Sequence, residues 1–294
     1  MNNYYRYLPV SDEDQNWGLW ALNAGTGRIL KSELYPNRNH PAHHYFNWTR
    51  GRVLREYQII YISKGQGSFE SSSCRDTPVG EGTMILLFPN EWHRYKPDVN
   101  TGWDEHWIGF NGEMMDHLVG KNFFQPGNPL LPIGHQESVV HIFNEIIEKT
   151  KEEKAGYQPS ISGAVMHLLG KIYSCTKQQL FETQDQVELT VSRARILLRE
   201  NVDRCIAVED IARELQVGYS WFRKVFKAYT GMAPGQYLIQ LKIERSKELL
   251  LDKNKSIKEV AYELNFDTSF YFSKLFKNKT GFSPEQFRKT LHTK

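Results

Sequence analysis

Cysteine is scarce. Cys74, Cys175 and Cys205 are three among 294 residues, odd in number and far apart, which argues against a disulfide framework and against a cysteine-based zinc site. Long apolar runs are missing as well: nothing approaches the ~18 residues that a bilayer span needs. The opening MNNYYRYLPVSDEDQNWG has no basic segment followed by an apolar one, so no secretory signal is expected. A soluble cytoplasmic protein without a membrane partner is the default expectation. There is no G-x-S-x-G, no Gly-rich phosphate loop and no Cys–His nucleophile pattern. What is present is ordinary globular usage, 40% hydrophobic, 13% aromatic and 24% charged, so wholesale disorder is excluded. The length suggests two domains.

The net charge of +3 conceals an asymmetry. Residues 1–186 carry 17 Lys+Arg against 21 Asp+Glu, and residues 187–294 carry 20 against 13, giving −4 and +7. A basic C-terminal part points to a polyanionic partner.

Structural type also changes along the chain. Tyr57–Ser63, Gly82–Pro89 and Trp103–Phe110 read as short strands between breakers, the pattern of a small sandwich or barrel. Val139, Val140, Phe143, Ile146 and Ile147 then recur at helical spacing over 136–149. Ile161, Val165, Leu168, Leu169 and Ile172 do so over 160–178, with 151–159 as connector. Two such neighbours pack antiparallel. The polar stretch 176–186 reads as linker. The expected division is 1–178, a linker over 179–189, and 190–294.

The strongest signal is an internal repeat. Phe226–Tyr237 (FKAYTGMAPGQY) and Phe276–Phe287 (FKNKTGFSPEQF) share Phe, Lys, Thr-Gly, Pro and Gln at an offset of 50. Upstream, Ile211-Ala212 and Leu215 match Val260-Ala261 and Leu264 at an offset of 49, so one residue is added in the second copy. Each copy reads as a helix-turn-helix. Val208, Ile211, Ala212 and Leu215 fall on one helical face, and Ile257, Val260, Ala261 and Leu264 on another. Ser256 with Glu259 forms a capping box. Small Ala212 and Ala261 permit a close crossing by the second helix. That helix buries Phe222, Val225, Phe226 and Tyr229 in copy one and Phe272, Leu275 and Phe276 in copy two. Gly231 and Gly281 stop the helices, Pro234 and Pro284 start the next ones, and 237–251 joins the two units.

The outward faces carry Tyr219, Ser220, Arg223, Lys224 and Lys227 in copy one, and Ser269, Phe270, Ser273, Lys274 and Lys277 in copy two, with no carboxylate. Donors for phosphates, with small or planar groups for base edges, suit a helix entering a major groove. Arg223 is the best candidate for reading guanine.

Residues 206–290 resemble the paired helix-turn-helix domain of the AraC/XylS transcription regulators. The resemblance rests on Ile211-Ala212, Phe222, Phe226-Lys227, Thr230-Gly231, Pro234, Tyr237, Ile257, Val260-Ala261, Phe266, Phe272, Phe276-Lys277, Gly281, Pro284 and Phe287. Where that family has Gly-Phe, this chain has Asn265-Phe266; Asn tolerates a left-handed backbone, so the turn is retained. The turn at Val217-Gly218-Tyr219 is shorter. The resemblance implies double-stranded DNA as partner, each second helix lying in one of two successive major-groove segments. It also implies activation as the outcome, with RNA polymerase as a further partner.

Gly82–His93 resembles the second cupin motif, and roughly 30–112 resembles the sugar-sensing barrel of the arabinose-type regulators. The resemblance rests on Tyr57–Gly67, Gly82–Tyr95 and Trp103–Phe110. It implies an α+β chain: a cupin-like β-barrel with a helical hairpin, then an all-α double helix-turn-helix. It also places Arg50, Tyr95, Glu105 and Trp107 at ligand contacts, with Glu105 where the arabinose-type pattern has His. Trp103 joins Glu105 and Trp107 on one side of a strand, and His93 completes the candidate pocket. Sugars are held by charged hydrogen bonds and an aromatic plate, which this set offers. The alternative is that Trp103 and Trp107 are core aromatics and Glu105 a satisfied internal carboxyl. His40, His43, His44, His93 and His106 lack the His-x-His of metal-binding cupins, so no metal and no cofactor is expected. The resulting expectation is a dimeric, non-enzymatic, ligand-responsive activator of sugar-utilisation genes, its helical pair the dimer contact and its arm 2–9 closing over the pocket. A non-sugar ligand, and a metal-dependent cupin enzyme fused to a DNA-binding part, remain the alternatives.

Overall fold

A computed structural model describes residues 3–33, 35, 48–181 and 185–291. The chain divides into two compact units, 1–180 and 181–294.

In the first unit the order is β1 (Tyr4–Tyr7), α1 (Asp12–Asn16), β2 (Trp20–Ile29), β3 (Arg52–Val53), β4 (Tyr57–Gly65), β5 (Gly67–Ser71), β6 (Thr77–Val79), β7 (Thr83–Leu87), β8 (Trp92–Pro97), β9 (Trp103–Asn111), α2 (Glu113–Gly120), β10 (Leu130–Pro132), α3 (Glu137–Glu152) and α4 (Tyr157–Gln179). Two antiparallel sheets form. One has the order β1-β2-β9-β4-β7-β10 and the other β3-β8-β5-β6. The barrel region therefore begins at β2, before residue 30. The short β5, β6 and β8 escape a reading based on apolar runs.

Side-chain alternation gives the large sheet two buried faces. Ile59, Tyr61, Ile108 and Phe110 point toward Phe143, Ile146, Val165 and Leu169 of the antiparallel α3–α4 hairpin. Ile60, Ile62, Ile85 and Trp103 point toward Phe69 and Tyr95 of the small sheet. β2 carries a bulge between Ala21 and Asn23. There the buried Gln158 amide accepts from Ala21 N and donates to Ala21 O, both at 3.0 Å, satisfying backbone groups where the ladder shifts.

The second unit contains α5 (Asp185–Glu200), α6 (Val208–Glu214), α7 (Tyr219–Thr230), α8 (Pro234–Leu249), α9 (Ile257–Glu263), α10 (Ser269–Thr280) and α11 (Pro284–Leu291). α5 begins inside the stretch read as linker, and Val187 is buried with Val191, Ala194 and Leu198 in the first core. Their spacing is helical, but Gln-rich neighbours mask it.

The repeat materialises as two cores joined by α8, which gives Leu238 to one and Ile243 to the other. Phe222, Phe226, Phe272 and Phe276 are fully buried. Gly231 and Gly281 cap α7 and α10 with φ of +81° and +83°. The recurring Thr plays the same part in each copy. Thr230 Oγ1 donates to Phe226 O and Thr280 Oγ1 to Phe276 O, closing each last turn. Asn265 is left-handed at φ +52°, and Gln216 occupies the equivalent turn at +57°. The Asn265 amide also reaches across the repeat. Its Nδ2 donates to Asp203 O at 2.9 Å, while Lys242 Nζ of α8 donates to Asn265 O at 3.4 Å.

Candidate functional site

On the large sheet, small residues stand opposite large ones. Gly25 and Gly27 of β2 pair with Trp107 and Glu105 of β9. A Cβ on Gly25 would lie 2.2 Å from Trp107 Cζ2, so the indole occupies the room that glycine leaves. Beside them lies a cavity of about 310 Å³, to which Tyr4, Tyr5, Thr26, Tyr35, Glu105 and Trp107 contribute. Tyr4 and Tyr5 come from the N-terminal arm, which is ordered as β1 rather than loose; Asn2 lies outside the described residues. The arm is tied at its far side. Arg6 Nη1 donates to Thr150 O at 2.9 Å near the end of α3, and Tyr4 OH lies 2.9 Å from Thr150 Oγ1.

Glu105 is buried and accepts a 3.3 Å hydrogen bond from Tyr35 OH. Burial pushes its carboxyl up to about 7, with the Tyr35 hydroxyl, the Arg52 guanidinium and the Trp103 indole pulling the other way. Trp103 Nε1 makes no hydrogen bond of ordinary geometry among the described residues. Tyr35 packs edge-on against Trp103, with ring centroids 5.8 Å apart.

Behind Tyr35 stands a second polar cluster. Arg52 Nη2 donates to Tyr95 OH at 2.6 Å, and Arg52 Nε donates to His93 Nε2 at 3.2 Å. His93 Nδ1 lies 3.0 Å from Glu91 O. A neutral ring with its proton on Nδ1 satisfies both contacts. Burial, reinforced by the Arg52 charge, drives His93 down to about 3.

Trp103, Glu105 and Trp107 thus share one side of β9, with Tyr95 and His93 close by. Arg50 does not join them. It is exposed ahead of β3, and its carbonyl accepts from Trp92 Nε1. The inward guanidinium belongs to Arg52, because β3 begins only at 52 and turns Val53 outward. Sequence reasoning missed Arg52 and Tyr35, and it placed Tyr4 and Tyr5 over the pocket only as part of the arm 2–9. The one signal for the cavity wall was the alternating glycine of Ala24-Gly25-Thr26-Gly27. Among the described residues no group of His, Cys, Asp or Glu is placed to hold a metal ion. His40, His43 and His44 lie outside them.

In the second unit Tyr219, Ser220, Arg223, Lys224 and Lys227 are exposed on α7. On α10 Phe270, Lys274 and Lys277 are exposed, with Ser269 and Ser273 half-buried beside them. Trp221 and Tyr271, absent from the sequence reading, are exposed next to these faces. Thr268 Oγ1 accepts from Tyr271 N at 3.1 Å and fixes the first turn of α10. α7 has only Gly218 there.

Residues 33–169 match the AraC-like ligand binding domain, and residues 211–290 match a helix-turn-helix domain. The chain is 27% identical to the MmsAB operon regulatory protein of Pseudomonas aeruginosa, over 89% of this chain and 85% of that one. It is 26% identical to the Msm operon regulatory protein of Streptococcus mutans, over 82% and 87%. With the raffinose operon transcriptional regulatory protein of Pediococcus pentosaceus it shares 25% identity, over 83% and 90%.

Proposed function

The chain belongs to the AraC-type family of transcription regulators, a ligand-binding domain ahead of a DNA-binding helix-turn-helix domain, and from that premise we propose that it senses a mono- or oligosaccharide and activates genes for sugar use. The observation that carries the ligand class is the cavity itself. Buried Glu105 and the Trp107 ring stand two residues apart on one strand beside a space of about 310 Å³, at the small end of ordinary ligand sites. A carboxyl for hydroxyls and a plate for the apolar ring face are what a saccharide requires. One relative's name, the raffinose operon regulator, accords with this class.

Tyr4 and Tyr5 couple the cavity to the arm. A ligand that displaces or recruits them changes the state of β1 and its anchor on α3. For the effector to act, the two arrangements must differ in affinity for it. The α3–α4 hairpin is the homodimer contact in this reading. Ser220, Arg223, Lys224 and Lys227 enter one major-groove segment, with Tyr219 at its edge. Ser269, Phe270, Ser273, Lys274 and Lys277 enter the next, and RNA polymerase is met on DNA in the cytoplasm.

A thermal-shift panel of pentoses, hexoses and oligosaccharides on the purified chain tests the sugar. A true effector at 100 times its Kd adds about 2.7 kcal/mol to the stability of the domain that binds it. The shift should disappear in Glu105→Ala and in Trp107→Ala. A shift that survives both substitutions places the site elsewhere. A flat panel beside normal, salt-sensitive DNA binding retires the sugar and keeps the regulator.

A further inference from the structure

The two outward helix faces differ chemically at matching positions. At the offset of 50, Ser220, Arg223, Lys224 and Lys227 of α7 correspond to Phe270, Ser273, Lys274 and Lys277 of α10. The lysines recur. The leading half of each stripe does not: a hydroxyl and a guanidinium stand in α7, a phenyl and a hydroxyl in α10.

Phe270 is 78% exposed, more than any other large apolar side chain among the described residues. Its neighbour Tyr271 leans on Phe266, with centroids 6.3 Å apart, and Phe272 lies in the core. Phe270 belongs to neither cluster of the second unit. It stands out from a first turn held by the Thr268 cap, at the head of the i, i+3, i+4, i+7 stripe that continues through Ser273, Lys274 and Lys277. The phenyl therefore adds little to folding, and leaving it in water forgoes the burial that its apolar surface favours. The two ammonium groups on the stripe call for a polyanion. The phenyl at its head calls for an apolar group on that polyanion, reached by the N-terminal end of the helix. In duplex DNA the major groove presents one such group, the thymine 5-methyl.

We propose that Phe270 reads a thymine 5-methyl, so that the second segment of the binding site is selected by apolar contact while the first is selected by hydrogen bonds from Arg223. The site read by one chain is then chemically directional, guanine-dependent at one end and thymine-dependent at the other. The proposal rests on the reading of α7 and α10 as major-groove helices.

The test begins with full-length protein and a random duplex library. The best selected duplex is remade with each thymine in turn replaced by deoxyuracil, which removes only the methyl group. At one or two adjacent thymines the wild type should lose about fourfold in affinity, equivalent to ~0.8 kcal/mol for one buried methyl. Phe270→Ala should bind the parent duplex more weakly and show no further penalty at those thymines. Its fold should be intact, since the side chain is exposed. If Phe270→Ala binds the parent duplex as the wild type does, or keeps the same deoxyuracil penalty, the proposal is wrong and the phenyl faces something other than DNA. Lys224→Ala and Lys274→Ala provide the separate control. If neither weakens binding, or if no sequence is enriched, the groove reading itself fails and this proposal fails with it.

Discussion

Three buried groups of the first unit titrate far from their ordinary ranges. Burial takes His93 down to about 3 and His106 down to about 4, and takes Glu105 up to about 7. In the unfolded chain each histidine takes up a proton as pH falls below about 6.5, while the folded chain resists until about 3 or 4. Their contribution to stability is complete above pH 6.5 and is lost on acidification. Glu105 acts in the opposite sense. The folded state holds its proton up to about 7 and the unfolded state only to about 4.5, so its contribution is present in acid and lost as pH rises through that window. Two groups oppose one. The unfolding temperature of the first unit should therefore drop between pH 6.5 and pH 4. Thermal denaturation across this range should give a steeper dependence for Glu105→Gln and a shallower one for His93→Gln. A wild-type profile that is flat between these limits contradicts the assignment.

At the level of elements, the two helix-turn-helix copies offer an internal control. Ser256 begins α9 with a complete capping box: its Oγ accepts from Glu259 N at 3.2 Å and its N donates to Glu259 Oε2 at 2.7 Å. Ala207, at the offset of 49, has the same backbone shape, and Asp210 accepts from its N at 3.1 Å, but it has no hydroxyl to return the bond. Ser256→Ala should cost about 1 kcal/mol, and Ala207→Ser should gain somewhat less than that. Denaturant unfolding of the two variants checks both signs. The repeat is also why this half of the molecule is legible from sequence. Each copy checks the other, so Phe222 and Phe272, or Gly231 and Gly281, are identified twice over. The first unit has no such redundancy. Its long apolar strands β4, β7 and β9 stand out, as do α3 and α4. The Arg52 cluster behind Tyr35, however, hangs on the two-residue β3, too short to show any alternation, and the resemblance puts Arg50 where Arg52 stands. Tyr35 comes from a stretch with no periodicity to read. β1 reads as an arm closing over the pocket rather than as a strand, because its hydrogen bonds go to β2, which no apolar run announces.

For the molecule as a whole, the division of charge is a division of roles. The acidic first unit carries the cavity, and the basic second unit carries two cationic helix faces. Whatever the effector does must be transmitted as a change in the relative stability of states, since equal affinity for both shifts nothing. Within the second unit, Asn265 joins the two copies: its side-chain amide is bonded to the loop of the first and its carbonyl to α8. A protein joined in this way is a caliper, and DNA is an object with a ruled scale. In the proposed reading, with α7 and α10 in two successive groove segments, one extra base pair between those segments moves the second by about 3.4 Å and turns it by roughly 35°. Two jaws fixed to each other cannot follow that rotation, so a duplex with a single-pair insertion should bind far more weakly than the parent. Asn265→Gly keeps the left-handed turn and removes the amide. It should narrow the gap between the two duplexes in a binding titration, because a loosened caliper still closes on an object of the wrong width.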